Sequence, residues 1–278
     1  MFPPASRSPL AGAAVVGLLA APAPAAAQGA LSLARVSLVE STVERARKSG
    51  GWQAVVEGAS LEIGETLRTG PTALARLEFP WMALTLSPGS TLRFPDAFLL
   101  SATLEGGRAL LDAPEREVLK VVTAEAEIRG QGRAVVRREG RATLVSCLGG
   151  RFVVRGGDAS VTVTAGRGTV VASGRAPSPP EAVPAPPSRG LWPGGDPVYV
   201  APGEALDLRW KGEAPAYQVE LLPVGSEVVL LQRDVVGPPA RITVPWEGAF
   251  RWRVSARDRR GLEGAPSADG LIAVDARP

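Results

Sequence analysis

The chain has 278 residues and a formal net charge of +3, with 26 prolines, 32 glycines, one cysteine and no histidine. Without histidine it has no imidazole general base, no serine-histidine or cysteine-histidine dyad and no imidazole ligand for a metal. The single Cys147 can form neither an internal disulfide nor a thiolate metal cage, and we predict that it is a small buried apolar group. These absences exclude most hydrolase and metalloenzyme designs, and the length favours two modest cores.

The first 27 residues have the pattern of an export signal. Arg7 supplies a positive charge, residues 10–21 form an uncharged apolar run, and three alanines precede Gln28. The alternative is an uncleaved membrane anchor, but two prolines end the apolar run before the roughly 20 residues that a spanning helix needs. We therefore predict a periplasmic or secreted protein that has no integral membrane segment after signal cleavage.

Residues 28–171 contain short runs in which apolar and polar residues alternate, and glycine-rich turns separate the runs. Apolar residues lie two apart in the segments 76–79, 83–86, 91–94, 119–121, 126–128 and 161–164. This period of two is typical of half-buried strands. The pattern predicts an all-β domain of short strands, arranged in two packed layers or a flattened coil.

Residues 172–197 contain eight prolines, which favour an extended polyproline II conformation. We predict that this segment is a semi-rigid linker that holds two domains apart.

Residues 198–278 return to short alternating runs, six or seven of them in about 80 residues, which is the size of a small immunoglobulin-like or fibronectin-like β-sandwich. Trp210, Tyr217 and Trp252 are the expected core aromatics. Alternation places Arg251, Arg253 and Arg257 on the face opposite Trp252, where solvent is expected.

The segment Ile63–Gly70, with the sequence I-G-E-T-L-R-T-G, is similar to the G-D-x-[IV]-x-T-G segment of the FecR domain. From Trp52 to Val171 the chain resembles this family, whose members are periplasmic sensing modules of bacterial regulators. The similar segments occur in the family's order and include 75–79, 84–90, 104–108, 122–124, 128–130 and 161–166. Glu65 and the segment 81–83 depart from the family pattern. The resemblance implies a sensing or binding module.

The end of the chain, from Trp246 to Ser267, resembles the last hairpin of a fibronectin-type or immunoglobulin-like module. The iron-uptake regulators of the FecR family carry an anti-sigma segment and a transmembrane helix before the domain, and here an export signal takes their place. The resemblance therefore implies binding without the transmembrane output.

No motif indicates catalysis. The chain lacks a G-x-S-x-G elbow, a Walker loop and a Ser-x-x-Lys pair. Glu125 and Glu127 lie two apart, as a glycosidase pair on one strand would, but solvated strand charges explain them better. We predict a non-enzymatic protein with no cofactor and no metal site.

Two surfaces are the candidate partner-binding sites. One is the turn that contains Trp81 and Met82, where an aromatic ring interrupts strand alternation and could be an exposed anchor or a lid on the core. The other is a basic segment with Glu139 as its only carboxylate, and its arginines are Arg129, Arg133, Arg137, Arg138 and Arg141. Guanidinium groups suit carboxylate and phosphate ligands, although a solubilising outer face would have the same composition.

The expected partner is another envelope protein, contacted by strand pairing or a loop surface. The alternative is a structural module that binds peptidoglycan or another anionic envelope polymer through its arginines. The weak positive charge does not indicate nucleic acid as a partner.

Overall fold

The computed structural model describes residues 32–47, 50–96, 101–113 and 120–275. Within these ranges the chain forms strands and turns, and no helix is long and apolar enough to span a membrane. The all-β fold class predicted from the sequence is confirmed. The predicted export signal, residues 1–27, lies outside the described residues.

Fifteen strands form one continuous hydrogen-bonded sheet, which we call the first unit. They are β1 (Ser32–Glu40), β2 (Val43–Arg47), β3 (Gln53–Ala54), β4 (Ser60–Glu62), β5 (Glu65–Thr69), β6 (Leu74–Phe79), β7 (Met82–Leu86), β8 (Thr91–Asp96), β9 (Ser101–Ala113), β10 (Lys120–Val122), β11 (Glu127–Glu139), β12 (Ala142–Gly156), β13 (Ala159–Thr164), β14 (Arg167–Ala172) and β15 (Glu181–Ala182).

The main path of this sheet has the order β15-β14-β12-β11-β10-β9-β7-β6-β1-β4, and β2, β3, β5, β8 and β13 branch from it. Strand β9 pairs with β7, β8, β10 and β11 along its length, so the sheet turns back on itself at this strand. The two arms of the sheet enclose one apolar core. Its fully buried members include Leu67, Leu84, Leu104, Val136 and Phe152.

Three strands of the first unit, β9, β11 and β12, are 13 to 15 residues long and exceed the short runs seen in the sequence. Glycines that look like turn signals lie inside these strands. A Cβ at Gly132, whose φ is +112°, would lie 2.2 Å from the carbonyl oxygen of Gly149 on the neighbouring strand. Glycine therefore continues the strand here by allowing a close backbone approach.

Nine strands form the second unit. They are β16 (Arg189–Trp192), β17 (Val198–Val200), β18 (Ala205–Lys211), β19 (Ala216–Pro223), β20 (Leu231–Val235), β21 (Ala240–Thr243), β22 (Gly248–Arg257), β23 (Glu263–Pro266) and β24 (Gly270–Val274).

The second unit is a sandwich of a three-stranded sheet, β16-β18-β21, and a six-stranded sheet, β17-β24-β22-β19-β20, in which β23 pairs with β22. Side chains from both sheets share one core. The predicted aromatics Trp210, Tyr217 and Trp252 are all buried in it. The ring centroid of Trp210 lies 5.2 Å from that of Tyr217 and 6.3 Å from that of Trp252.

The proline-rich segment does not hold the two units apart, and that prediction is wrong. One part of it, β15, pairs with β14 of the first unit, and another, β16, pairs with β18 of the second. Between them, a Cβ at Gly264 would lie only 2.0 Å from the carbonyl oxygen of Pro184. Proline lacks an N–H but keeps its carbonyl, so the segment can pair at sheet edges and pack on both units. Independent folding of 28–171 and 198–278 stays a prediction.

Candidate functional site

The predicted contact turn closes the β6–β7 hairpin, with Phe79 paired to Met82. Trp81 is partly buried and packs against the core of the first unit. Met82 is buried in the same core. The turn therefore has the lid arrangement, in which Met82 offers little surface to a partner. A binding role for Trp81 stays a prediction.

The five predicted arginines do not form one patch. Arg129, Arg133, Arg137 and Arg138 lie along β11, and Arg141 lies in the turn after it. Because a strand rises about 3.3 Å per residue, the ends of this series are tens of ångströms apart. Their role in binding stays a prediction, but a single small ligand could not contact all five, because they lie toward opposite ends of β11.

Carboxylates from outside the basic segment pair with two of these arginines, Arg129 and Arg138. Arg129 Nε lies 2.9 Å from a carboxylate oxygen of Glu127. Arg138 binds Glu125 with two hydrogen bonds of 3.0 and 3.1 Å. Thr143 also donates to Glu125, at 2.9 Å. The expectation that Glu139 is the only opposing carboxylate is wrong, because Glu125 and Glu127, just before and at the start of β11, also pair with its arginines.

Arg137 connects the two units. It pairs with Glu139 of its own strand, and its Nη2 atom lies 3.7 Å from Asp234 of β20. Burial lowers the pKa of Arg137, and the positive charge of Arg257 lowers it further. The guanidinium therefore lies in a crowded, partly desolvated boundary between the units.

The expected solvent exposure of Arg253 and Arg257 is wrong. Alternation does place them opposite Trp252, but only 5% of Arg253 and 4% of Arg257 is exposed. Arg253 Nε donates to Glu220 at 2.8 Å, and Arg257 pairs with Asp234. The first unit covers this face of the six-stranded sheet, so both faces of β22 are buried.

The centre of this interface is an ion pair between Arg108 of β9 and Glu263 of β23. Two parallel hydrogen bonds join them, from Nε at 3.0 Å and from Nη2 at 2.6 Å. Ser87 accepts a third bond from Arg108, and Ser146 accepts one from the backbone N–H of Glu263. Both charged side chains are almost fully buried, so the pair joins the units with paired rather than free charge.

Apolar contacts surround the ion pair. Leu74 of the first unit forms a small buried cluster with Leu222 and Val229 of the second. Leu262, fully buried, lies against Gly168, where an added Cβ would be 2.9 Å from the leucine Cδ2 atom. These contacts and the charge network together hold the two units in one arrangement.

A cleft of about 930 Å³ opens beside this network. The first unit contributes Arg137 and Arg138 to its walls, and the second contributes Gln218 and Trp246. The Oε1 atom of buried Gln218 has no hydrogen-bond partner among the described residues. The two cleft arginines are held by carboxylates, so the cleft offers no free guanidinium from the predicted basic segment.

We expect the melting temperature to fall as the pH drops below about 5, because interface carboxylates must then be protonated. Burial alone raises the pKa of Glu220, but the charges of Arg253 and Arg108 outweigh it, and the net pKa is lowered. Asp234 has a lowered pKa for the same reason, with Arg257 as its main partner. A lowered folded-state pKa stabilises the fold above the unfolded-state pKa, and that stabilisation disappears as pH falls through the folded value.

Scanning calorimetry between pH 7 and pH 3 measures this dependence. A Glu220→Gln variant, which removes one titrating group, should show a shallower slope from a lower starting temperature. A wild-type melting temperature that stays constant across the acid range would contradict the prediction.

A second feature of the first unit is the free edge of β13. Within the described residues this strand pairs only with β12, through a hairpin closed by the two-residue turn Gly157-Asp158. Gly157 has a φ of +53°, the conformation that such a turn requires. The other side of β13 is therefore an edge that no described strand pairs with.

The sequence of β13, A-S-V-T-V-T, contains no charge and no proline. Ala165 N–H donates to Gly150 O, so residues 165 and 150 form a hydrogen-bonded pair. In an antiparallel ladder every second pair is hydrogen-bonded, so the pairs that contain residues 164, 162 and 160 are not. The backbone groups of Ser160, Thr162 and Thr164 therefore point away from β12. Natural proteins commonly protect edges with charges, prolines or a covering element, and β13 has neither of the first two.

The exposed face next to this edge contains Arg151, Val153 and Arg155 of β12, with Arg129 beside them on β11. Of the predicted binding residues only Arg129 lies here. Alternation in the sequence predicts the strand at residues 161–164 but does not reveal this face, because the pattern does not show which strands pair. The R-x-V-x-R spacing at 151–155 is the signal that could have indicated it.

Among the described residues no group of three or more histidine, cysteine, aspartate or glutamate side chains could hold a metal. Cys147 is buried as predicted, and burial raises the pKa of its thiol.

No protein-family model matches the chain. No curated protein matches it either.

Solved structures show distant similarity. A proposed anti-sigma factor from Parabacteroides distasonis is 15% identical with a TM-score of 0.37, and the match covers 42% of this chain. The chain spans 59% of the length of that protein. The FN1-FN3 domains of chicken CNTN1 are 11% identical with a TM-score of 0.27, covering 87% of this chain and 89% of theirs.

Domains A168-A170 of titin are 14% identical with a TM-score of 0.25, and the match covers 84% of this chain and 88% of that one. These TM-scores are too low for any of the matches to carry an argument about fold or function.

Proposed function

We propose that this chain is a non-enzymatic binding protein of the bacterial cell envelope, and that its first unit contacts another envelope protein by accepting a strand at the edge of β13. The observation that carries the proposal is the free edge itself, which is uncharged, proline-free and rich in β-branched residues. Strand addition needs such an edge, because its affinity comes from main-chain hydrogen bonds.

Two sequence features support the envelope location and the sensing role. Residues 1–27 have the pattern of an export signal, and the segment from Trp52 to Val171 resembles the FecR sensing domain. In this proposal the second unit is a rigid support, since the Arg108–Glu263 pair ties it to the first. N-terminal sequencing of protein from the envelope fraction tests the export step, and a chain that still begins at Met1 would contradict cleavage.

A Thr162→Pro variant is expected to reduce capture of the partner from envelope extract at least about tenfold. Proline removes the outward N–H of this residue but no bond to β12, so the hairpin itself should remain. Thr162→Val is the matched control, because it keeps the N–H and the β-branched shape. Equal capture by the proline variant and the wild type, with unchanged melting temperatures, would refute strand addition at β13.

A second candidate function is the binding of an anionic envelope polymer, and the exposed arginines 129, 151 and 155 favour it. Salt distinguishes the two. Binding of isolated peptidoglycan through guanidinium groups should weaken steeply as ionic strength rises, whereas main-chain pairing should persist. Polymer binding that is unaffected by Thr162→Pro and abolished by added salt would favour this second function.

A further inference from the structure

On the exposed face beside the β13 edge, side chains of β12 and β13 form cross-strand pairs. Across β12 and β13, Arg155 is paired with Ser160, Val153 with Thr162, and Arg151 with Thr164. All of these side chains are exposed. Each arginine thus lies directly behind a small hydroxyl residue of the edge strand.

The charges of this face are not balanced. Arg129 has Glu127 as its partner, but neither Arg151 nor Arg155 has an ion pair or a side-chain hydrogen bond among the described residues. The edge strand itself contributes no carboxylate. The two free guanidinium groups leave a local positive charge next to an unpaired strand edge.

Their geometry lets these arginines reach an added strand. Neighbouring strands lie about 4.8 Å apart, so a strand added to β13 would lie about 10 Å from β12. Ser160 and Thr164 are short, and the long arginine side chains behind them can extend over them toward the edge. A carboxylate on the new strand, opposite either hydroxyl, would then come within ion-pair distance.

Between these two positions the exposed side chains carry no charge. The middle row contains Val153, of which 45% is exposed, and Thr162. On the other face of β13, Val163 is buried in the core and Val161 packs against it. Every second side chain of an added strand would therefore lie beside Arg155, Val153 or Arg151. The side chains between them would lie at the rim of the core.

We propose, on the basis of the function proposed above, that the segment added to β13 has acidic residues at two positions four apart, with β-branched or other apolar residues between them. The spacing follows from Ser160 and Thr164, which are four residues apart on the edge strand. The acidic residues pair with Arg155 and Arg151 across the hydroxyl groups. The partner segment is an extended, acidic, β-forming stretch of another protein.

A second copy of this chain does not meet this requirement. Two β13 edges paired with each other would place no carboxylate opposite Ser160 or Thr164, because β13 itself contains none. A dimer in solution that Thr162→Pro dissociates would overturn the proposal in favour of self-association.

The test uses two synthetic peptides on the full chain. The first has the sequence glutamate-valine-threonine-valine-glutamate with glycines on both sides and blocked ends, and the second has lysines in place of both glutamates. The acidic sequence is the same read in either direction, so parallel and antiparallel addition are both sampled. Fluorescence anisotropy with labelled peptides measures both affinities at low and at physiological salt.

We expect the acidic peptide to bind at least about tenfold more tightly than the basic one. The double variant Arg151→Gln with Arg155→Gln should lose this preference, and Thr162→Pro should lose binding altogether. The matched control is Arg241→Gln with Arg259→Gln, which removes two exposed arginines of the second unit. Equal affinity for the two peptides, or no binding of the acidic one, overturns the proposal.

The failures of the two proposals are distinguishable. If Thr162→Pro abolishes capture from envelope extract while the Arg151 and Arg155 double variant captures normally, strand addition stands and the acidic requirement falls. If Thr162→Pro captures normally, strand addition to β13 falls, and the acidic segment has no place to bind.

Discussion

A Trp252→Ala variant is expected to lose about 3–5 kcal/mol of stability in the second unit. The indole is fully buried in the sandwich core, next to Trp210. Its Nε1 atom donates to the carbonyl oxygen of Pro193 at 2.9 Å. Alanine therefore leaves both a large cavity and an unpaired buried carbonyl. The loss is a large share of the total unfolding free energy of a unit of about 80 residues.

Chemical denaturation followed by tryptophan fluorescence measures the loss. Trp192→Ala is the matched control, since 43% of that side chain is exposed and it lies on a short edge strand. The control should change stability by much less. If both variants unfolded at the same denaturant concentration as the wild type, the strand register of β22 would be one residue out.

A Glu263→Leu variant is expected to destabilise the chain by about 3–5 kcal/mol, because it leaves the Arg108 guanidinium buried without its main partner. Glu263 supplies both oxygens of the bidentate pair and lies 3.8 Å from Arg257 as well. The remaining carboxylate near Arg108, that of Glu220, is 4.0 Å away and already binds Arg253. Little compensation is therefore available.

The exposed pair of Arg93 and Glu105, whose atoms lie 2.8 Å apart, is the matched control. Glu105→Gln should cost about 1 kcal/mol or less, because solvent screens that pair. The double variant Arg108→Leu with Glu263→Leu should recover part of the loss, since it removes both buried charges. Equal effects for Glu263→Leu and Glu105→Gln in calorimetry would show that the units do not depend on the buried pair.

The same interface changes the expectation for Arg253. Alternation alone predicts an outward arginine that alanine could replace at little cost. Its burial against Glu220 means that Arg253→Ala should leave that buried carboxylate without its nearest cationic partner. Alternation correctly places Arg253 on the face opposite Trp252, but it does not show what covers that second face of the strand.

The sequence by itself determined the all-β class, the core aromatics of the second unit and the strand at residues 161–164, because period-two alternation and turn glycines act locally. Three features needed the tertiary structure. The proline-rich segment packs on both units, Asp234 of β20 pairs with Arg137 of β11, and β13 is left at an edge among the described residues. Each depends on which segments meet after folding, and contacts between residues far apart in the chain have no signature in local periodicity.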